Sequence, residues 1–367
     1  MVNDFWLEKM PQTTITHLSS TGSDHCPLFM KMVSTTIDHT KYFRFLNCWV
    51  DNPHLMETVE TCWEKEVVGT GMLKFQKKMI RLSNTLSVLS KREFGDIFQM
   101  LRMYEEQVHK AEENYINNQS DSNTSILHVI NAKYIKFLKL EDTILKQKTQ
   151  LQWFKEGDTN YKYFHLVIRG RRRKFFIHKV SNENGDWIQG DDNIAQVACE
   201  HFKGIFTGEE KLINEHTLEC IPRVINQDQN AQLTIEPSMD EPKEVVLSMN
   251  PNSAASPDGM NGYFFQKCLH IIKNDLMGVV QAFFSGQMIP KYFSHSCIVL
   301  LPKVNNPNKL TEYRPISLSN FTNKIIFKLM SNILRPILPD LISTNESGIV
   351  KGRSVSDNVM LAQEIIH

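Results

Sequence analysis

From about residue 52 to residue 155, apolar side chains return every three or four positions, and this period constrains the fold more than any other feature of the 367-residue chain. Phe75, Met79, Leu82, Leu86 and Leu89 stand four, three, four and three residues apart. One apolar side chain per turn on one face predicts a helix with a seam for a neighbouring helix. Gly95 breaks the pattern, and Ile97, Leu101, Tyr104, Val108, Ala111 and Tyr115 resume it. The polar run NNQSDSN, Asn117 to Asn123, reads as a turn. Leu127, Ile130, Tyr134, Leu138 and Leu145 then carry a second helical run. Long helices joined by a polar turn predict an antiparallel hairpin whose role is packing.

Around this scaffold the signals are shorter. PQTTITHL and PLFMKMV read as strands in a piece, residues 1–37, too small to close a core alone. FFIHKVSNENGDWI predicts a β-hairpin turning at Asn184, Gly185 and Asp186. Residues 191–205 read as an amphipathic helix, and 207–238 as an acidic, loosely structured connection. Glu241 to Met249 reads as a short helix and NPNSAASPDGMNG as a turn-rich loop. Asn274 or Asp275 is expected to cap a helix carrying Leu276, Val279, Val280, Phe283 and Phe284, ended by Gly286 and Pro290. SCIVLLPK reads as a buried strand. Thr322 to Leu338 reads as a helix that Pro336 kinks or shortens, and Ser354 or Ser356 caps a last helix running to Ile366.

Lys plus Arg and Asp plus Glu both number 41, so net charge says nothing about a polyanion partner. The distribution says more. Leu151 to Val180 holds eight Lys/Arg against two Asp/Glu, Ser181 to Asn250 four against fourteen, and Lys291 to His367 nine against five. Basic stripes on a neutral protein suit a nucleic acid; solvated charge with no partner is the alternative. Arg169, Arg171, Arg172, Arg173 and Lys174 form a cationic cluster, with Trp153, Phe154, Tyr161, Tyr163 and Phe164 close by. The cations are expected on phosphates, and the aromatics in a core rather than stacked on bases. The seven cysteines form no Cys-x-x-Cys pair, which excludes a zinc knuckle and a redox motif, and their odd number reads as reduced thiols. With no signal-peptide core and no apolar run of membrane-spanning length, the chain is expected to be intracellular, nuclear or cytoplasmic, with no membrane partner.

Four strings carry chemistry. IVLLPK ends at Lys303, YRPISL places Arg314 eleven residues later, and GIVKGRS follows with Lys351 and Arg353. Lys is a compact point charge and Arg a bidentate fork, so the set suits phosphate binding. For Lys303 alone, a surface charge after a strand is the alternative. SDHCPL sets Asp24 beside His25. Asp191 and Asp192 follow a glycine and precede a helix, and are not promoted to a metal site.

In order and wording these strings resemble a plant-type non-LTR (LINE-type) retrotransposon polyprotein. VVLSMNPNSAASPDGMNGYFFQKCLHIIKNDL, IVLLPK, YRPISL, KIIFKLMSNILRPILPDLI and ESGIVKGRSVSDN resemble the N-terminal, fingers part of its reverse transcriptase domain. FRFLNCW, WFKEGDTNYKYFH and RGRRRK resemble its helical linker. VNDFWLEKMPQTTITHLSSTGSDHCPL resembles the C-terminal end of an exonuclease–endonuclease–phosphatase domain. Family members typically carry Pro-Gly-Pro-Asp-Gly where this chain has Ser256-Pro257-Asp258-Gly259 after Ala255, so Ser replaces one Gly.

The resemblance implies an α+β, predominantly helical architecture: a long helical hairpin linker plus incomplete reverse-transcriptase fingers and palm. It divides the chain into an endonuclease remnant (1–37), the linker with its basic cluster (38–175), a hairpin, helix and acidic connection (176–239) and the reverse-transcriptase part (240–367). It implies Lys303 and Arg314 on the incoming nucleotide's triphosphate, and Lys351 and Arg353 on the template strand. His25 and Asp24 become the general base and its partner in an endonuclease site that has lost its activity. The implied partners are an RNA template and a DNA target. Mg²⁺ is the parent family's cofactor, held by an Asp and a Tyr-Ala-Asp-Asp turn. This chain contains no such turn and ends at His367, before the family's catalytic aspartates, so no Mg²⁺ is expected on it and RNA-directed DNA polymerisation by it alone is not expected. A non-enzymatic nucleic-acid-binding remnant and a pseudogene product are the alternatives.

Overall fold

The computed structural model describes residues 13–17, 26–32, 42–150, 161–182, 184–208, 222, 224–253, 256–343, 346, 350 and 352–366. Strands β1 (Thr14–His17) and β2 (Leu28–Lys31) pair antiparallel, with Thr14 opposite Lys31. Ile15, Leu28, Phe29 and Met30 on this pair remain exposed.

Helix α1 (Pro53–Glu64) starts where the Asn52 side chain accepts the His54 N–H and Pro53 fills the first turn. Helix α2 (Gly71–Glu93) buries the whole expected seam, Phe75, Met79, Leu82, Leu86 and Leu89. It closes at Gly95, whose φ of +57° suits a residue without Cβ and whose N–H reaches the Ser90 carbonyl. Asp96 caps α3 (Ile97–Asn117) by accepting the Phe98 and Gln99 N–H groups, and Ser120 caps α4 (Asp121–Thr149). The two pack as the expected hairpin. Burial deepens away from the turn: Leu127, Ile130, Tyr134 and Leu138 are half-buried, Ile144 and Leu145 buried.

Helix α5 (Tyr161–Phe175) follows. Strands β3 (Lys179–Ser181) and β4 (Trp187–Gln189) form the expected hairpin, turned by Gly185 at φ +90° and by the Asn182 side chain, which accepts the Asp186 N–H. Helix α6 (Asp191–Phe206) comes next. The acidic connection then holds an unexpected helix, α7 (Gln227–Thr234), fixed by a reciprocal cap between Asn226 and Gln229.

Helix α8 (Asp240–Ser248) is the short helix expected there, and α9 (Gly262–Lys267) and α10 (Leu269–Phe284) follow it. Because α10 begins at Leu269, Asn274 and Asp275 lie inside it and cap nothing. A short turn, α11 (Lys291–Ser294), leads to β5 (Ser296–Pro302), which pairs antiparallel with β6 (Tyr313–Ser319), Pro302 lying opposite Tyr313. The strand expected to be buried is only partly covered: Val299 is 37 % exposed and its partner Ile316 40 %. A two-stranded sheet can rest one face on a neighbour and still leave the other open. Helix α12 (Phe321–Leu334) stops two residues before Pro336, and α13 (Leu338–Leu341) and α14 (Val355–Ile366) follow.

One apolar core joins α1, α2 and the start of α3 to α8–α12, through Leu55, Phe75, Leu82, Val246, Phe264, Ile272, Val280, Phe321 and Ile325. Each buried Leu or Phe contributes roughly 1.5–3 kcal/mol, so residues 45–101 and 245–329 stabilise one another. A second, smaller cluster of Val180, Ile194, Phe202 and Leu310 ties β3 and α6 to the segment between β5 and β6. The expectation of a predominantly helical α+β chain holds.

Candidate nucleic-acid interface

The β5–β6 hairpin brings Lys303 and Arg314 together. Leu301 lies opposite Arg314, and the Lys303 N–H donates to the Glu312 carbonyl at 2.8 Å, extending the ladder past Pro302. Side chains alternate faces along a strand, so Leu301, Lys303 and Arg314 share one face, with the two cations as diagonal neighbours. Tyr313 and Leu300 belong to the opposite face; Tyr313 is buried and Leu300 packs on the small cluster. The hairpin is thus anchored on one side and presents both exposed cations on the other. The Lys303 ammonium rests on the Thr311 carbonyl at 2.7 Å, a contact that a stronger anionic acceptor can replace. Glu312 accepts the Asn308 and Lys309 N–H groups, which hold its carboxyl below the usual range. Its charge is engaged within the loop.

The basic cluster lies on α5, which packs against α4 and approaches β5. Arg171 donates to the Thr149 carbonyl at 2.6 Å, at the C-terminal end of α4, where Gln150 takes a φ of +50°. A cation suits that end of a helix. Lys174 is exposed. Phe164 is 1 % exposed, so the core expectation for the aromatics holds at this position. Arg169, Arg172 and Arg173 fall within the same helix. The Arg353 guanidinium donates to the Ser343 carbonyl at 2.6 Å and also to the Pro339, Ile342 and Glu346 carbonyls, which fastens the segment before α14. Asp24, His25, Lys351, Trp153 and Phe154 lie outside the described residues.

A third constellation was missed from sequence: the SPDG turn docks on the start of the helical region. Gly259 has a φ of +80°, and a Cβ there would collide with the Phe43 carbonyl; the Phe45 N–H donates to the Gly259 carbonyl at 2.9 Å. Asn261 donates to Asn47 Oδ1 at 2.9 Å, the Asn47 N–H donates to Gln147 Oε1, and Gln147 Nε2 donates to the Phe45 carbonyl. Asp258 accepts the Tyr292 hydroxyl at 2.9 Å and the Met260 N–H at 3.0 Å. Burial pushes the Asp258 carboxyl and the Tyr292 hydroxyl up and the Lys324 ammonium down. Asn and Gln side chains signal polar bonding, but nothing local names the partner.

Among the described residues no group of three or more His, Cys, Asp or Glu side chains converges. No helix among them is long and apolar enough to cross a membrane.

No family model matches the chain. Over 222 residues it is 22 % identical to the uncharacterized 149 kDa protein of transposon TX1 from Xenopus laevis. The match covers 60 % of this chain and 17 % of that protein, so the chain spans a small part of its relative's length. The similarity relates the chain to a transposon-encoded protein.

Proposed function

We propose that the chain is a stretch of a plant-type non-LTR retrotransposon polyprotein, running from the end of an endonuclease through a helical linker into reverse-transcriptase fingers. The parent reaction is RNA-directed DNA polymerisation. In it this stretch holds ligands rather than performing the chemistry. Lys303 and Arg314 bind the incoming nucleotide's triphosphate. Arg169, Arg172, Arg173 and Lys174, with Lys351, bind nucleic-acid phosphates, and Arg171 and Arg353 join them by exchanging the carbonyls they hold for phosphate oxygens. Phosphoryl transfer needs metal ions held by carboxylates, which the parent polyprotein supplies from residues other than these.

The observation that carries the reading is the shared exposed face of Lys303 and Arg314, on a hairpin whose other face is anchored. Two cations on the open face of an anchored hairpin oppose triphosphate charge once Lys303 exchanges the Thr311 carbonyl for a phosphate oxygen. The similarity to a transposon protein supports the same reading.

Primer extension and RNA binding test it together. The pure chain is expected to give no templated extension with Mg²⁺ or Mn²⁺, yet to bind structured RNA with strong salt dependence. Arg172→Gln with Arg173→Gln should flatten the log–log salt slope by roughly 0.7–0.9 for each phosphate that is no longer bound. Templated extension by the chain alone, or RNA binding indifferent to salt, contradicts the reading.

A further inference from the structure

The end of α5, strand β3 and the loop after β5 line an open pocket of about 350 Å³, of whose walls the reading above uses Lys174 alone. Its walls include Lys174, Phe176, Lys179, Pro302, Asn305 and Asn306. The volume falls in the range of small-ligand sites, roughly 300–1,000 Å³, and is too small for a duplex.

The pocket is built by tertiary bonds. The Ser181 N–H donates to the Asn308 carbonyl at 2.7 Å, and Ser181 bridges Lys309 in parallel register, so the loop is stitched to β3. Asn306 holds a left-handed backbone, φ +56°, which Asn tolerates better than most residues with a Cβ. Lys179 lies 3.9 Å from the Trp187 ring centroid, which positions its ammonium. Lys174, Asn305 and Asn306 are exposed at the rim, and Phe176 and Pro302 are half-buried within. Glu312, the nearby acid, is engaged with the Asn308 and Lys309 N–H groups. The wall chemistry therefore combines two ammonium groups, side-chain amides with both donors and acceptors, and a ring and a proline face.

We propose that this pocket holds one nucleotide of a single nucleic-acid strand. Its phosphate sits at Lys174 and Lys179, its base lies against Phe176 and Pro302, and Asn305 and Asn306 meet the base edge. The inference rests on the reading of the chain as a nucleic-acid-handling protein, but uses residues apart from Lys303 and Arg314. The strand can be RNA or DNA, since phosphate and base are common to both.

The test uses the full chain with 12-residue single strands of RNA and of DNA carrying 5-iodouracil, cross-linked by light and mapped by peptide mass spectrometry. Cross-links are expected in peptides containing residues 174–179 and 302–308. Lys174→Ala with Lys179→Ala should weaken binding about tenfold and flatten its salt slope, and Asn306→Gly, which keeps the backbone conformation, should weaken it severalfold. Lys110→Ala with Lys133→Ala removes equal charge from the helical hairpin and should change nothing. Loss for both strands assigns the pocket to either nucleic acid, and loss for RNA alone assigns it to RNA. Binding with cross-links elsewhere and no effect of the pocket variants overturns the pocket while leaving the general reading intact. No binding of either strand overturns both.

Discussion

The Lys78 ammonium donates to Asp275 Oδ2 at 2.7 Å, linking α2 to α10 from side chains 9 % and 15 % exposed. Trp63 Nε1 donates to the same oxygen at 2.8 Å, and Lys74 lies 3.3 Å from the other. Burial raises the Asp275 carboxyl, but the bonds and charges of Lys78 and Lys74 outweigh it and hold the carboxyl below its ordinary value. This is the polar centre of the core shared by residues 45–101 and 245–329.

Removing Asp275 leaves the Lys78 ammonium and the Trp63 N–H buried without their acceptor. Asp275→Ala is expected to destabilise the chain by about 3 kcal/mol, read as a lower urea midpoint at neutral pH. Because the folded carboxyl is the stronger acid, its contribution is present above the unfolded value and is lost as pH falls through the folded one. The difference between wild type and Asp275→Asn should therefore shrink in acid. A difference that grows in acid contradicts the network.

Asp258 has the opposite sign. Its folded carboxyl is the weaker acid, so the native state holds the proton longer and stability falls as pH rises from the ordinary aspartate value through the folded one. Asp258→Asn keeps a hydrogen-bond acceptor for Tyr292 and removes the buried charge. The variant is expected to gain on the wild type as pH rises through that window, measured by thermal melting at a series of pH values. Equal slopes for the two proteins contradict the burial of a titrating Asp258.

Gly259→Ala tests the docking of the SPDG turn. A Cβ strains the positive φ and meets the Phe43 carbonyl, so a loss of at least about 2 kcal/mol is expected. Gly185→Ala also sits at positive φ but meets nothing within 4 Å, and should cost about 1 kcal/mol. Equal losses would show that residues 43–45 do not press on the turn.

These positions mark where sequence legibility ends. The α2 seam was readable because helical period and burial coincide over 23 residues. Asp275 was misread as a cap because a mid-helix Asp and a capping Asp look alike until Lys78 and Trp63 are placed beside it. Helix α7 was hidden by its acidic surroundings, although the Asn226–Gln229 capping pair was legible. The apolar run of β5 showed strand but not cover, since burial depends on what stacks on the sheet. Lys303 and Arg314 were legible as residue types in order, while their common face needed the register of β5 with β6. The bonds of Arg171 to Thr149 and of Arg353 to the 339–346 segment are tertiary, and no local pattern announces them.

The most direct measurement is photolabelling of the full chain by an azido-nucleoside triphosphate, with the modified peptide identified by mass spectrometry. Labelling is expected on the segment from Lys303 to Arg314, competed better by triphosphate than by monophosphate. It should be lost in Lys303→Ala with Arg314→Ala, provided that circular dichroism shows the variant folded. Labelling that persists in that variant, or that monophosphate competes as well as triphosphate, contradicts the assignment of these two cations to a nucleotide's phosphates.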